Sequence, residues 1–143
     1  LEEDPSTLDY TFPELGRTLG EALLEPHRCY YPLLEPVLPS IKGMAHITGG
    51  GLQENVPRVL PQGLGAWFNT SAWEELPIFD IIQQVGQVSH EEMFRTFNMG
   101  LGMVLACSPE KVDLVHRLVP EARVIGEVVR VMEGNERVTV TRK

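Results

Sequence analysis

The chain has 143 residues, of which 43% are hydrophobic and 22% charged, which is enough for one ordinary globular core. Its formal net charge of −8, with twelve singly scattered lysines and arginines, argues against a nucleic-acid surface, because such a surface needs a basic face. No apolar run approaches the length of a membrane span, about 18–20 residues, and no basic-then-apolar leader is present. We expect a soluble, unexported single domain with no nucleic-acid or membrane partner.

The first half of the chain predicts short elements separated by prolines and glycines. Pro13 suits the first turn of one helix, whereas Pro36 and Pro39 limit the length of the next. A short apolar strand then meets three glycines and a helix that Pro57 limits. The predicted elements are helices over 13–19, 31–38 and 51–56 and strands over 44–48 and 65–69.

The second half continues with helices and strands in alternation. Apolar residues recur at helical spacing in two segments, which predicts two helices with a loop at Gly86 between them. Ser108, Pro109 and Glu110 supply an N-cap, a proline at the first helical position and an acid in the first turn. The predicted elements are helices over 77–85 and 90–97, a buried strand over 100–107, and a helix after Glu110 whose apolar side is Val112, Val115 and Leu118 or Val119.

The carboxyl end predicts a β-hairpin. Segments 124–132 and 137–141 are joined by Glu133-Gly134-Asn135-Glu136, in which glycine and asparagine supply the backbone conformations of a tight turn. Together with the preceding elements this predicts a mixed α and β domain, and the sequence leaves the order of the strands open.

The most informative motif is the run His46-Ile47-Thr48-Gly49-Gly50-Gly51-Leu52, between a predicted strand and a predicted helix. Three glycines remove every Cβ at this junction, so backbone N–H groups can approach an anion closely. A tight turn that needs flexible dihedral angles is the alternative. The flanking strand and helix favour a small phosphate, although the run matches neither the phosphate-loop pattern nor the dinucleotide fingerprint.

His46 stands at the strand end beside the glycines, where loops carry most chemistry, so it is a candidate catalytic residue. An isolated histidine is also commonly a hydrogen-bonded structural residue, and both roles stay open. Glu54 and Asn55 lie one turn inside the following helix, where a solvated face is the simplest expectation and is favoured for Glu54.

A second polar group interrupts an apolar segment. Arg95, Thr96 and Asn98 lie just before a predicted buried strand, where burying each without a partner would cost about 1–3 kcal/mol. They either cap the neighbouring helix and strand or face a ligand. In the second case Arg95 could bind a phosphate or carboxylate with its planar fork, and Asn98 could hydrogen-bond an amide.

Cysteine and histidine spacing predicts no metal site. Cys29 and Cys107 lie far apart with no second member at metal or redox spacing, so a reduced cytoplasmic setting fits best. His27, His90 and His116 share no ligand spacing with one another or with the cysteines. We therefore do not expect this chain alone to bind a metal.

Four segments of the chain follow one another in a familiar order: 19–28 (LGEALLEPHR), 46–52 (HITGGGL), 55–61 (NVPRVLP) and 92–100 (EMFRTFNMG). Together they resemble the carboxyl half of phosphoribosylformylglycinamidine cyclo-ligase, also called aminoimidazole ribonucleotide synthetase. The resemblance extends from about Thr11 to Val140, and the co-linear order makes it more specific than a glycine triplet alone.

The resemblance implies an α+β fold, a mixed β-sheet layered with α-helices, and a purine-biosynthesis ligase that uses ATP and Mg²⁺ to convert formylglycinamidine ribonucleotide to aminoimidazole ribonucleotide. It also implies a phosphate-bearing cleft in which His46 is the catalytic residue, as a proton donor or charge stabiliser. The residues expected to bind phosphate or substrate are Thr48, Gly49, Gly50, Gly51, Arg95, Thr96 and Asn98.

Members of that family are substantially longer, and their amino-terminal domain carries the acidic metal ligands, a lysine near the nucleotide and much of the dimer interface. The chain begins Leu1-Glu2-Glu3-Asp4-Pro5, without an initiator methionine. We expect residues 1–143 to be the single carboxyl-terminal domain of a longer, homodimeric, cytoplasmic enzyme and to be inactive alone. The alternative is a free-standing anion-binding or assembly module that uses the same fold without catalysis.

Overall fold

A computed structural model describes residues 5–141 as an α+β fold, which confirms the predicted class. The described strands form two two-stranded sheets and one three-stranded sheet. The helices are α1 (Leu19–Leu23), α2 (Tyr31–Leu34), α3 (Gly51–Asn55), α4 (Pro77–Gly86), α5 (His90–Thr96) and α6 (Val112–Leu118). The strands are β1 (Thr11–Phe12), β2 (Arg17–Thr18), β3 (Ile41–His46), β4 (Leu64–Asn69), β5 (Met103–Cys107), β6 (Gly126–Arg130) and β7 (Val138–Thr141).

Residues 13–16 form a hairpin turn, so the helix predicted over 13–19 is wrong. Strands β1 and β2 pair in antiparallel orientation on either side of the turn, and the N–H of Gly16 donates to the carbonyl of Phe12 at 3.1 Å. Gly16 has φ +63°, a left-handed conformation that interrupts a helix. Helix α1 begins only after Thr18, whose side chain and that of Glu21 form a reciprocal capping box.

Strands β3 and β5 form an antiparallel pair in which His46 lies opposite Met103. The strand predicted over 100–107 exists, but its residues are half-buried and do not form the fully buried run that the sequence suggested. In a two-stranded sheet, β5 lacks a second neighbouring strand among residues 5–141, so its outer edge stays open.

The carboxyl-terminal hairpin is also wrong, because β6 and β7 do not pair with each other. Both flank β4, β6 in antiparallel and β7 in parallel orientation. Arg137, just before β7, explains this arrangement: its guanidinium donates to the carbonyls of Leu60 at 2.8 Å, Pro61 at 2.9 Å and Leu64 at 2.8 Å. These bonds hold the start of β7 beside β4, and the 133–136 segment crosses over instead of folding β7 back onto β6.

Buried apolar residues form three clusters, which hold the junction between β3 and α3 in position. The first joins β3, α3, β4 and β7, and the second joins α4 and α5. The third packs the end of α2 and the residues that follow α2 and α6 against β5. Their buried members are Ala45, Ile47, Leu52, Val56, Ala66, Phe68 and Val138; Phe79, Met93, Phe94 and Met99; and Leu34, Val37 and Val119. The junction between β3 and α3 is therefore anchored on both sides by buried apolar residues.

Helices α4 and α5 confirm the two predicted amphipathic helices. Gly86 is the last residue of α4 and not a loop residue, and Gln87 after it has φ 50°. Phe79 is buried at the centre of the apolar face of α4, whereas Val85 is 45% exposed. Across residues 5–141, no helix combines the length and apolar character that a membrane crossing requires.

The helix start predicted at Ser108 takes a different form. A short 3-10 turn precedes α6, and the Ser108 side chain caps no helical N–H. A hydrogen bond with the Ser108 hydroxyl instead holds the pKa of the exposed Glu110 carboxyl below its ordinary value. Val115 and Val119 are buried while Leu118 is 41% exposed, so Val119 completes the apolar side of α6.

Candidate functional site: a glycine loop beside a histidine pair

Residues 48–51, here called the glycine loop, connect β3 to α3. Thr48 and Gly49 are exposed, Gly50 is half-buried and Gly51 is buried. The loop is closed by a turn in which the N–H of Gly51 donates to the carbonyl of Thr48 at 3.1 Å. Burial increases steadily along the loop, so the three glycines serve different purposes.

Gly51 is required by packing. A Cβ at this position would lie 2.1 Å from the carbonyl oxygen of Phe94 and 2.8 Å from that of Phe97. Both oxygens are backbone atoms at the carboxyl end of α5, which cannot withdraw as a flexible side chain can. Gly51 therefore lets α3 and α5 approach each other, and it does not face an open anion site.

Gly50 is required by backbone conformation. Its φ of 91° and ψ of −2° are left-handed, and a Cβ would lie 2.5 Å from Oε2 of Glu54. A left-handed backbone conformation is strained for residues other than glycine. The tight turn that the sequence offered as an alternative is thus real at Gly50.

Gly49 is the glycine that the protein's own packing does not explain. It is exposed, its φ lies outside the left-handed region, and no atom lies within 4 Å of the place where a Cβ would stand. Within residues 5–141, the N–H groups of Thr48, Gly49 and Gly50 make no hydrogen bond. Open space and unused donors coincide here, which is what a small anion needs.

Asn55 holds the glycine loop from below, a role that the sequence interpretation missed. Its side chain is 5% exposed, and Nδ2 donates to the carbonyls of Gly51 at 2.8 Å and Gly49 at 3.2 Å. Arg58 donates to Oδ1 of Asn55 at 3.3 Å. The carbonyls of the loop are thereby turned inward, which leaves its N–H groups available outside. A polar residue four positions after Gly51 was the signal, since that spacing reaches back over one helical turn.

His46, at the end of β3, is exposed and paired with a histidine that the sequence spacing did not connect to it. The Nε2 atoms of His27 and His46 lie 3.1 Å apart, and their ring centroids are 5.1 Å apart. The Tyr30 ring lies against both, with centroid distances of 5.9 Å to His27 and 6.2 Å to His46. His46 is thus part of an exposed aromatic cluster immediately before the glycine loop.

Gly102 supports this cluster from the neighbouring strand. The N–H of Ile47 donates to the carbonyl of Gly102 at 3.0 Å, extending the β3–β5 pairing by one bond. A Cβ at Gly102 would lie 1.7 Å from the Tyr30 hydroxyl oxygen. The absence of a side chain at Gly102 therefore makes room for Tyr30 beside the two histidines.

Residues 94–98, here called the Arg95 segment, lie against the glycine loop. The backbone oxygens of Phe94 and Phe97, on either side of Arg95, are the atoms nearest to the Cβ position of Gly51. Arg95 is exposed and makes no ion pair or hydrogen bond within residues 5–141. Thr96 donates to Oε1 of Glu92 at 3.2 Å, and Oδ1 of Asn98 accepts from the N–H of Gly100 at 3.0 Å. Thr96 and Asn98 therefore have local partners, while the guanidinium of Arg95 has none in the part of the chain that the structure describes.

Two further observations limit the candidate sites. Among residues 5–141, no group of three or more histidine, cysteine, aspartate or glutamate side chains comes together around one point. An open cleft of about 490 Å³ is lined by residues 62–64, 131–135 and Arg137 and shares no residue with the glycine loop. Its one cation already bonds three carbonyls, so the glycine loop is the better candidate.

The sequence of this chain matches one known protein family. Residues 2–139 match the family model described as AIR synthase related protein, C-terminal domain. The chain belongs to this family. The glycine loop, His46 and the Arg95 segment all lie inside the matched region of this AIR synthase related C-terminal domain.

Several relatives of this domain carry the name phosphoribosylformylglycinamidine cyclo-ligase. The protein of Desulfitobacterium hafniense (strain DSM 10664 / DCB-2) is 48% identical over 136 residues, covering 91% of this chain and 40% of that protein. The Alkaliphilus metalliredigens protein is 44% identical over all of this chain and 42% of its own length. For the Geobacillus thermodenitrificans protein the identity is 49%, with 90% and 39% covered. The chain thus spans about 40% of the length of these curated relatives.

Proposed function

We propose that this chain is the carboxyl-terminal part of an ATP-dependent cyclo-ligase that converts formylglycinamidine ribonucleotide to aminoimidazole ribonucleotide in purine biosynthesis. The observation that carries the proposal is the exposed Gly49, three residues after His46. Within residues 5–141 its N–H makes no hydrogen bond, and no atom lies within 4 Å of its Cβ position. The names of relatives that are 44–49% identical to the chain supply the reaction.

Ring closure requires a site that stabilises negatively charged phosphate groups, and the backbone N–H groups of the glycine loop can supply such a site. The formamide oxygen of the substrate takes the γ-phosphoryl group of ATP, a neighbouring nitrogen attacks the activated carbon, and phosphate leaves. Two phosphorylated molecules are then held close together, so fixed backbone donors lower the cost of the accumulating negative charge. The donors here are loop amides of Thr48, Gly49 and Gly50, held by Asn55, while Gly51 acts through packing.

His46 and Arg95 are the side chains that we assign to the reaction. His46 is exposed at the strand end and acts as a proton donor or charge stabiliser. Arg95 is exposed, has no ion-pair or hydrogen-bond partner among residues 5–141, and is assigned to the substrate side. Thr96 and Asn98 support that segment through their local hydrogen bonds.

The remaining requirements of the reaction lie outside this chain. The described residues offer no carboxylate cluster for Mg²⁺, so no step is assigned to a metal held by them. Because the chain spans about 40% of its relatives, we assign the Mg²⁺ ligands, the rest of the ATP site and the homodimer contacts to an amino-terminal domain. The two free cysteines suit a cytoplasmic location.

A chimera tests the proposal. The Desulfitobacterium hafniense relative would keep its amino-terminal part, and this chain would replace its carboxyl-terminal part. We expect ATP-dependent ring closure by the chimera, and loss of it in the chimera that carries His46→Gln. A chimera that melts cooperatively, like the parent enzyme, but forms no product would contradict the proposal. If it still bound inorganic phosphate at the glycine loop, the non-catalytic anion-binding module would replace it.

A further inference from the structure

The separation between His27 and His46 suits a metal ion as well as a hydrogen bond. We propose that the Nε2 atoms of these two residues together bind a divalent transition-metal ion of the Zn²⁺, Cu²⁺ or Ni²⁺ class. The observation behind this assignment is the 3.1 Å distance between two exposed imidazole nitrogens that face each other. Both ligands lie in this chain, and the assignment does not depend on the proposed enzyme activity.

Coordination geometry supports the assignment. A zinc–imidazole bond is about 2.0–2.1 Å long, so two such bonds at right angles or at the tetrahedral angle place their nitrogens about 2.8–3.4 Å apart. The observed 3.1 Å lies within that interval, so both rings can bind one ion with little movement. Imidazole nitrogen is a ligand that zinc, copper and nickel accept readily, whereas Mg²⁺ prefers oxygen.

The surroundings leave the pair accessible to a cation. Both histidines are exposed, and the Tyr30 ring lies beside them with its hydroxyl near Gly102. Arg28 brings a positive charge near the Tyr30 ring, but its guanidinium forms an ion pair with Glu121 at 2.6 Å. The formal net charge of −8 also favours the approach of cations.

Two protein ligands make a site that exchanges with solvent. No third histidine, cysteine, aspartate or glutamate completes a cluster among the described residues, so water fills the remaining positions. Such a site is weaker than a structural zinc site with four protein ligands. Without the ion, one Nε2 donates its hydrogen to the other; when the ion binds, that proton moves to Nδ1 of the same ring or to solvent, because both Nε2 lone pairs are needed.

The other histidines of the chain provide matched controls. His90 and His116 are also exposed, on α5 and α6, and neither has another histidine within hydrogen-bond distance in residues 5–141. Zn²⁺ binding to the 143-residue chain would be measured by calorimetric titration. We expect one site per chain, at least tenfold weaker affinity in His27→Gln and in His46→Gln, and unchanged affinity in His116→Gln.

A second measurement needs no variant. Substoichiometric Cu²⁺ broadens the proton NMR signals of the rings that it binds, and the chain has four histidines whose signals can be compared. We expect selective broadening of the His27 and His46 signals. Equal broadening of all four signals, no broadening, or wild-type Zn²⁺ affinity in His27→Gln would overturn the proposal. None of these results would affect the proposed enzyme activity, because that proposal uses His46 as a proton donor or charge stabiliser and requires no metal ion bound to it.

Discussion

The side-chain Nδ2 of Asn55 lies 2.8 Å from the carbonyl oxygen of Gly51, so a buried helix residue fixes the loop that begins its own helix. The same nitrogen reaches the carbonyl of Gly49 at 3.2 Å. These bonds turn the loop carbonyls inward and leave its N–H groups outward. The openness of the glycine loop is therefore maintained by a side chain that never needs to touch a ligand.

Asn55→Ala should lower the free energy of unfolding by about 1–3 kcal/mol, because it removes the buried side-chain donor that bonds the loop carbonyls of Gly51 and Gly49. Gln53→Ala is the matched control: Gln53 lies on the same helix, is half-buried, and its side chain makes no hydrogen bond within residues 5–141. We expect the control to change stability by less than about 0.5 kcal/mol. Urea unfolding measures both, and equal losses would refute the role given to Asn55.

The glycines of the loop should differ in what they tolerate. Gly51→Ala should destabilise the chain by at least about 3 kcal/mol, because its Cβ would meet a backbone oxygen at 2.1 Å and cannot be accommodated by a rotamer change. Gly49→Ala should cost less than about 1 kcal/mol, since nothing lies near its Cβ and its φ is not left-handed. Thermal melting compares the two. A Gly51→Ala variant as stable as Gly49→Ala would show that α3 and α5 do not pack as described.

Gly102 and Tyr30 should be energetically coupled. Gly102→Ala should cost about 1–3 kcal/mol, because the added methyl group displaces the Tyr30 ring, whose hydroxyl oxygen lies 1.7 Å from the new Cβ. In a Tyr30→Leu background the same substitution should cost at least about 0.5 kcal/mol less, since the colliding atoms are gone. Chemical denaturation of the four proteins of this double-mutant cycle gives the coupling, and strict additivity would argue against the contact.

The capping box at α1 gives a prediction about pH. The backbone N–H of Thr18 donates to Glu21 at 2.9 Å and, with the Thr18 hydroxyl, holds the pKa of this exposed carboxyl below its ordinary value. A carboxyl whose pKa is lowered by folding contributes stability above its unfolded pKa and loses it as pH falls through the folded value. Carbon NMR should show the pKa of Glu21 below the ordinary value of a glutamate carboxyl. Thr18→Ala should raise that pKa, and no change would contradict the capping geometry.

Helix boundaries and amphipathic helices could be predicted from the sequence, because they depend on residues that are close together in the chain. Pro57 and the glycines bounded α3, and apolar periodicity identified α4 and α5. The 133–136 turn residues failed as a hairpin signal, because a tight-turn composition does not reveal that β4 lies between the strands it connects. Arg137 decides that topology through carbonyls more than seventy residues earlier, and no local pattern encodes such a contact.

The candidate site, too, could be predicted only in part from the sequence. The sequence placed His46 at the end of a strand, as observed, whereas only the family resemblance grouped the glycine loop with Arg95, Thr96 and Asn98. The partnership of His27 with His46 did not, because nineteen positions of sequence separate two residues that meet only after β3 and the segment before α2 have packed. Gly51 was assigned to phosphate on the same terms as Gly49, and only the structure shows that α5 occupies the space beside it.

The rate of ring closure in the chimera carrying Gly49→Val is the most direct test of the central claim, that open loop amides hold a phosphate group. Among the described residues, no atom lies within 4 Å of the Cβ position at Gly49, so we expect valine there to leave the fold intact and to block an anion from reaching the backbone. We predict a loss of about 100-fold or more in kcat/KM with an unchanged melting temperature. Full activity in a folded Gly49→Val chimera would contradict the account.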